Sequence, residues 1–160
     1  MVSKQENLDF AKDYFFKGEE KLKSAEILLK NELLDDSISR IYYAVYYFVK
    51  SLLFLLGEKS YTHKGLISIF GLKVIKTNLL DKKFGAILSD LLEKRERSDY
   101  DLYSFIDFDT TEKLLQDAII FRDEIKRILN EKFALDIWFI LEFKSRFQIL
   151  FSEIFSLTFS

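Results

Sequence analysis

Arg95 is the residue whose position most invites a chemical role. Phe84, Leu88 and Leu91 step by four and three residues along one apolar stripe, and Arg95 is the next member of that series. Arg97 instead continues the hydrophilic series of Asp90 and Glu93. A guanidinium on a core-facing stripe is costly unless it is paired with a carboxylate or meets an anion. Asp99 lies four residues on, within reach of a bidentate pair if the helix continues. On these residues alone two readings stand: a salt bridge at the end of a bundle, or an arginine that binds an oxyanion such as phosphate.

His63, the chain's single histidine, also sits on an apolar stripe, with Ile67, Phe70 and Val74. A place in the first turn of a helix lowers an imidazole's pKa through the helix dipole, favouring the neutral ring at pH 7. A neutral ring is what a general base requires; the alternative is a partly buried side chain that helps end the preceding loop. Tyr42, Tyr43, Tyr46 and Tyr47 cluster in the second helix. Aromatic runs at helical spacing usually form core, and platforms for stacking bases are the rarer outcome. Arg40, Tyr43, Tyr47 and Lys50 share the one partly polar face of that helix, which is expected to meet a partner or line a groove.

Other chemistries are excluded by composition. The absence of cysteine removes disulfides, thiolate metal sites and cysteine nucleophiles. One histidine is too few for an ordinary protein-only zinc site, so no metal and no other cofactor is expected. No Gly-rich phosphate loop, Ser/His/Asp set or paired-carboxylate pattern stands out.

The elements that must position these residues are helices. With 160 residues and 19.0 kDa the chain is one domain's worth, long enough to bury a core without staples. It has no proline and only five glycines, so little interrupts a helix. The spacing predicts helices over 5–31, from an Asp35 or Asp36 cap to Leu56, over 63–76 behind Thr62, and over 82–97 behind Asp81. Residues 98–109 break the periodicity, and Asp109 with Glu112 reads as an acidic capping box for a fifth helix to Lys132. The segment "ISRIYYAVYYFVKSLLFLL" has almost no polar side and belongs at a bundle centre or a subunit interface. Residues 133–160, 17 of 28 apolar, read as an amphipathic helix covered by protein. The expected architecture is all-α: an up-and-down bundle of about five helices in 1–132, followed by this C-terminal helix in 133–160.

A net charge of −2 argues against a dedicated non-specific nucleic-acid binder. The charge is nonetheless uneven. Residues 58–83 carry six lysines against Glu58 and Asp81, which suits a small anionic ligand, a short RNA or simply a solvated surface. The N-terminus "MVSKQENLDFAKDYFF" has no apolar run typical of a signal peptide, and no window reaches the roughly 20 apolar residues of a membrane span. A cytoplasmic protein without membrane contact is expected.

Three segments in order, "SRIYYAVYYFVKSLLFLLG" (39–57), "THKGLISIFG" (62–71) and "KRERSDYD" (94–101), resemble the HEPN domain, in particular a branch of small archaeal and bacterial members. The likeness runs over residues 8–130 and leaves the tail outside. It implies a five-helix bundle that forms a homodimer, with a minimal nucleotidyltransferase partner in a toxin–antitoxin-like pair. It also implies metal-independent ribonuclease chemistry through an Arg-x4–6-His motif at the end of the fourth helix, the arginine holding the scissile phosphate and the histidine moving protons. Arg95 matches the motif's arginine, but Tyr100 stands at the histidine's place, in Arg95-x3-Asp99-Tyr100. A phenol with a pKa near 10 is a poor base at neutral pH. The resemblance thus favours a module that binds nucleotide or RNA phosphate through Arg95, Asp99, Arg40 and Tyr43. Its alternative is a remodelled endoribonuclease using Arg95, Tyr100 and, from another helix, His63.

Overall fold

The computed structural model describes residues 4–100, 106–137 and 149. Among the described residues five α-helices form in chain order: α1 (Lys4–Lys30), α2 (Leu34–Leu55), α3 (His63–Phe70), α4 (Lys82–Tyr100) and α5 (Phe108–Phe133). A single π-helical turn, Gly71–Ile75, continues α3. No strand occurs among the described residues, and none of the described helices is long and apolar enough to cross a membrane.

α1 and α2 form an antiparallel hairpin because three kinds of contact act along its length. Two buried serines on α2 donate to α1 carbonyls near opposite ends, Ser37 Oγ to Ala25 O (2.9 Å) and Ser51 Oγ to Ala11 O (2.7 Å). Phe15 and Phe48 meet with ring centroids 5.0 Å apart. Beside them Gly18 lets the helices close up: a Cβ there would lie 2.5 Å from the Phe48 ring. The buried stripe of α2 includes Ile38, Ile41, Tyr42, Val45, Phe48, Val49 and Leu52, so this helix is central, as its composition predicts. α4 contributes Phe84, Leu88 and Leu91 to the core, and Phe121 of α5 packs against Phe70 and Phe84.

The α1–α2 junction and the end of α2 close through the backbone, whereas α3, α4 and α5 start on side-chain caps. α1 closes in a Schellman turn with Glu32 at positive φ, where Leu33 N–H reaches Leu28 O and Glu32 N–H reaches Leu29 O. Leu33 O then immediately accepts from Ser37 N–H, so α2 starts at Leu34 with no side-chain cap. Asp35 and Asp36 therefore lie inside the first turn, where they complement the helix dipole instead of capping. Gly57, at φ 78°, ends α2 in the same way, with Glu58 N–H on Leu53 O. Thr62 and Asp81 do cap, accepting from Gly65 N–H (3.0 Å) and Lys83 N–H (2.8 Å).

Two further boundaries differ from the sequence reading. α4 runs on to Tyr100, three residues past its expected end, because the Arg95–Asp99 pair and a bond from Ser98 Oγ to Asp35 Oδ1 (2.9 Å) support its last turn. α5 is capped by Asp107, not Asp109, through Thr110 N–H on Asp107 Oδ1 (2.7 Å). That bond also holds the Asp107 carboxyl below its usual range. The chain divides into two compact units, residues 1–125 and 126–160. In the second, Ile137 N–H bonds Asn130 Oδ1 (3.2 Å), and Leu135 and Ile137 are buried. The amphipathic helix expected in the tail falls almost wholly outside the described residues.

Candidate functional site

The site lies in the first unit, where α2, α3 and α4 converge. α4 carries Arg95 one step beyond Leu91 on the buried stripe, as the spacing predicts, and its side chain is only 19% exposed. One edge of the guanidinium is held by Asp99, with Nη2 2.7 Å from Oδ2. Its carbon lies 5.6 Å from the centre of the Tyr43 ring, a cation–π contact supplied by α2. Arg95 Nε is buried and has no hydrogen-bond partner among the described residues. The ion pair therefore leaves donor capacity unused, a condition that buried polar groups seldom tolerate without a ligand or water.

Thr62 starts α3 so that His63 is its first residue, and the imidazole is delivered against three α2 phenols. Its ring centroid is 4.9 Å from Tyr46, 5.5 Å from Tyr42 and 5.9 Å from Tyr43. Tyr43 is thus the common wall of Arg95 and His63. His63 Nδ1 lies 2.6 Å from the Tyr42 hydroxyl. Burial holds the imidazole pKa below its ordinary value, aided by the charges of Arg95 and Lys50 and opposed by Glu96. The phenol of Tyr42, wholly buried, is pushed up, first by burial and then by its phenol neighbours Tyr46 and Tyr43. At neutral pH the pair is therefore a neutral imidazole and an intact O–H.

Lys50 extends the locus along α2, its ammonium 5.2 Å from the rings of both Tyr46 and Tyr14. It also lines a cleft of about 300 Å³ with Tyr14, Lys59, Tyr61 and Leu66. Two other expected residues, Tyr100 and Arg40, take no part in the ion pair or the ring contacts just described. Tyr100 is 80% exposed at the end of α4. Arg40 is half-buried one turn before Tyr43 and forms no ion pair among the described residues. Tyr42 and Tyr46 escaped the sequence reading as site residues. The available signal was a phenol on the same stripe as Ile38, Val45 and Val49, because a hydroxyl placed there needs an internal partner. Among the described residues no group of three His, Cys, Asp or Glu side chains gathers as a metal set.

Fold and site together define an all-α bundle module that sets a mostly buried arginine, across one tyrosine ring, from the chain's single imidazole. The chain belongs to the HEPN domain family, whose model matches residues 11–128. It is 34% identical over 116 residues to "Putative toxin MJ0142" of Methanocaldococcus jannaschii, covering 72% of this chain and 79% of that protein. A protein of Thermotoga maritima named only as a UPF0332 protein is 30% identical over 115 residues, covering 72% and 87%. "Putative toxin MJ0605" of M. jannaschii is 31% identical over 114 residues, covering 71% and 84%.

Proposed function

We propose that this chain is a cytoplasmic HEPN-type binding module that holds the phosphate of a nucleotide or short RNA on Arg95. In this reading it acts as a homodimer beside a minimal nucleotidyltransferase partner, in a toxin–antitoxin-like pair. The observation that carries the proposal is the state of the guanidinium. It is mostly buried, fixed by Asp99 on one edge and by Tyr43 below, and still has a donor without an acceptor. A preorganised guanidinium with donors to spare is what a planar or tetrahedral oxyanion engages in a bidentate manner. The toxin names of two relatives support the pairing with a partner.

Titration of a short fluorescent single-stranded RNA, with inorganic phosphate as competitor, tests the phosphate site. Arg95→Ala is expected to weaken binding more than tenfold, whereas Arg97→Ala on the exposed side of α4 changes it little. Equal binding by wild type and Arg95→Ala overturns the reading and leaves a structural salt bridge. Sedimentation gives the oligomeric state, and capture from native cells identifies the partner.

A metal-independent endoribonuclease is the second reading, favoured by one observation: His63 arrives from α3 against the same Tyr43 ring as Arg95. It demands RNA cleavage in the presence of chelator, lost in both Arg95→Ala and His63→Ala.

A further inference from the structure

The Tyr42–His63 hydrogen bond has a direction, and the direction decides what the imidazole offers a ligand. Tyr42 is wholly enclosed in the core, and His63 Nδ1 is the hydrogen-bond partner of its hydroxyl among the described residues. A buried phenol that accepted from Nδ1–H would leave its own O–H without an acceptor, and an unsatisfied buried donor is destabilising. If the phenol donates, both groups are satisfied. The raised pKa of the Tyr42 phenol agrees, since it keeps the proton on oxygen. With Nδ1 accepting, a neutral imidazole must carry its proton on Nε2. Nε2 makes no hydrogen bond among the described residues, and the ring is partly exposed.

We propose that Tyr42 is a positioning residue that fixes the tautomer of His63, so that Nε2–H joins Arg95 as a second hydrogen-bond donor to one oxyanion. This rests on the phosphate-site reading for its ligand, but not for the tautomer itself. The role resembles that of a hydrogen-bonded partner behind a metal-bound histidine, which sets orientation and tautomer without touching the ligand. One chemical consequence follows. An imidazole whose Nδ1 is occupied and whose Nε2 is protonated has no lone pair to take a proton from a ribose hydroxyl. In this state His63 serves a site that holds phosphate, not one that cleaves RNA through a histidine base.

The single histidine makes the test direct. Nitrogen-15 spectra of uniformly labelled full-length protein at pH 8 report which ring nitrogen carries the proton, with no assignment ambiguity. We expect Nε2 in the protonated range and Nδ1 in the unprotonated range. Tyr42→Phe is expected to move both resonances toward the mixed pattern of a free imidazole and to weaken phosphate binding several-fold. Added inorganic phosphate is expected to shift Nε2 in wild type and not in Arg95→Ala. A proton on Nδ1 in wild type overturns the assignment, and that measurement decides even if Tyr42→Phe fails to fold. Phosphate that binds in an Arg95-dependent manner without moving Nε2 overturns the donor role but leaves the phosphate site intact. Absence of any phosphate or RNA binding sinks the phosphate site and the donor role together, while the tautomer result is read independently.

Discussion

The guanidinium carbon of Arg95 lies 5.6 Å from the centre of the Tyr43 ring, so two helices, α4 and α2, share control of one charge. It is held by this ring and by the Asp99 carboxylate four residues on. Lysine in its place would keep the charge and lose the fork and much of the stacking. We expect Arg95→Lys to lower affinity for phosphate or short RNA about tenfold, or about 1.4 kcal/mol. Tyr43→Leu, which removes the ring and leaves the fork on Asp99, is expected to lower it by a smaller factor, since a partly buried cation–π contact is worth about 1 kcal/mol. Titration calorimetry distinguishes the two. Full affinity in Arg95→Lys would show that the locus reads charge only.

Thr62 sets the position of His63 through the cap it makes with Gly65 N–H. Losing a Thr cap typically costs about 1 kcal/mol. Thr62→Ala is therefore expected to lower stability by about that amount and to loosen the imidazole at the first position of α3. Thr62→Ser keeps a hydroxyl and should restore both properties. Thermal melts followed by circular dichroism, with phosphate titrations alongside, check the pair. A stability loss without any effect on ligand binding would separate the cap from the site.

Gly18 is the contact point of the α1–α2 hairpin. Alanine is the better helix former by about 0.5–1 kcal/mol, so propensity alone predicts that Gly18→Ala stabilises. The Phe48 ring reverses the sign, because a Cβ would stand 2.5 Å from it and the ring is fully buried against Phe15. Overpacking of this kind costs about 1–3 kcal/mol, which leaves a net loss expected near 1 kcal/mol or more. Denaturant unfolding measures it. Pairing Gly18→Ala with Phe48→Leu, which removes the clashing edge, should recover part of the loss.

How much of this was legible in the sequence depends on the range of each interaction. The Arg95–Asp99 pair and the buried stripe of α4 follow from helical period alone, and the structure has both. The same holds for the Thr62 and Asp81 caps. Asp35, Asp36 and Asp109 misled because acidic residues suit both a cap and a first turn, and backbone closure at Leu33 and the Asp107–Thr110 bond decided between them. Tyr100 looked close to Arg95 in sequence, but the extra turn of α4 carries it into solvent. The meeting of His63 with Tyr42 and Tyr43 depends on how α3 folds back on α2, which no local pattern encodes.

The last prediction uses His63 as a pH probe of its own surroundings. Burial, with help from Arg95 and Lys50, holds its pKa in the folded chain below the ordinary imidazole value of about 6.5. Below that value the unfolded chain therefore binds a proton that the folded chain still refuses. Stability linked to His63 is fully present above about pH 6.5 and is lost as pH falls through the folded-state value. Wild type should thus lose more melting temperature than His63→Gln when pH is lowered from 7.5 to 5.5, a window in which ordinary carboxylates stay ionised. Adding phosphate should narrow the difference, because an anion at Arg95 offsets the charge that helps keep the imidazole neutral. Parallel losses in the two proteins would place the imidazole in a water-like environment. A wild type that gains stability on acidification would mean that Glu96, the one opposing charge, outweighs burial and both cations.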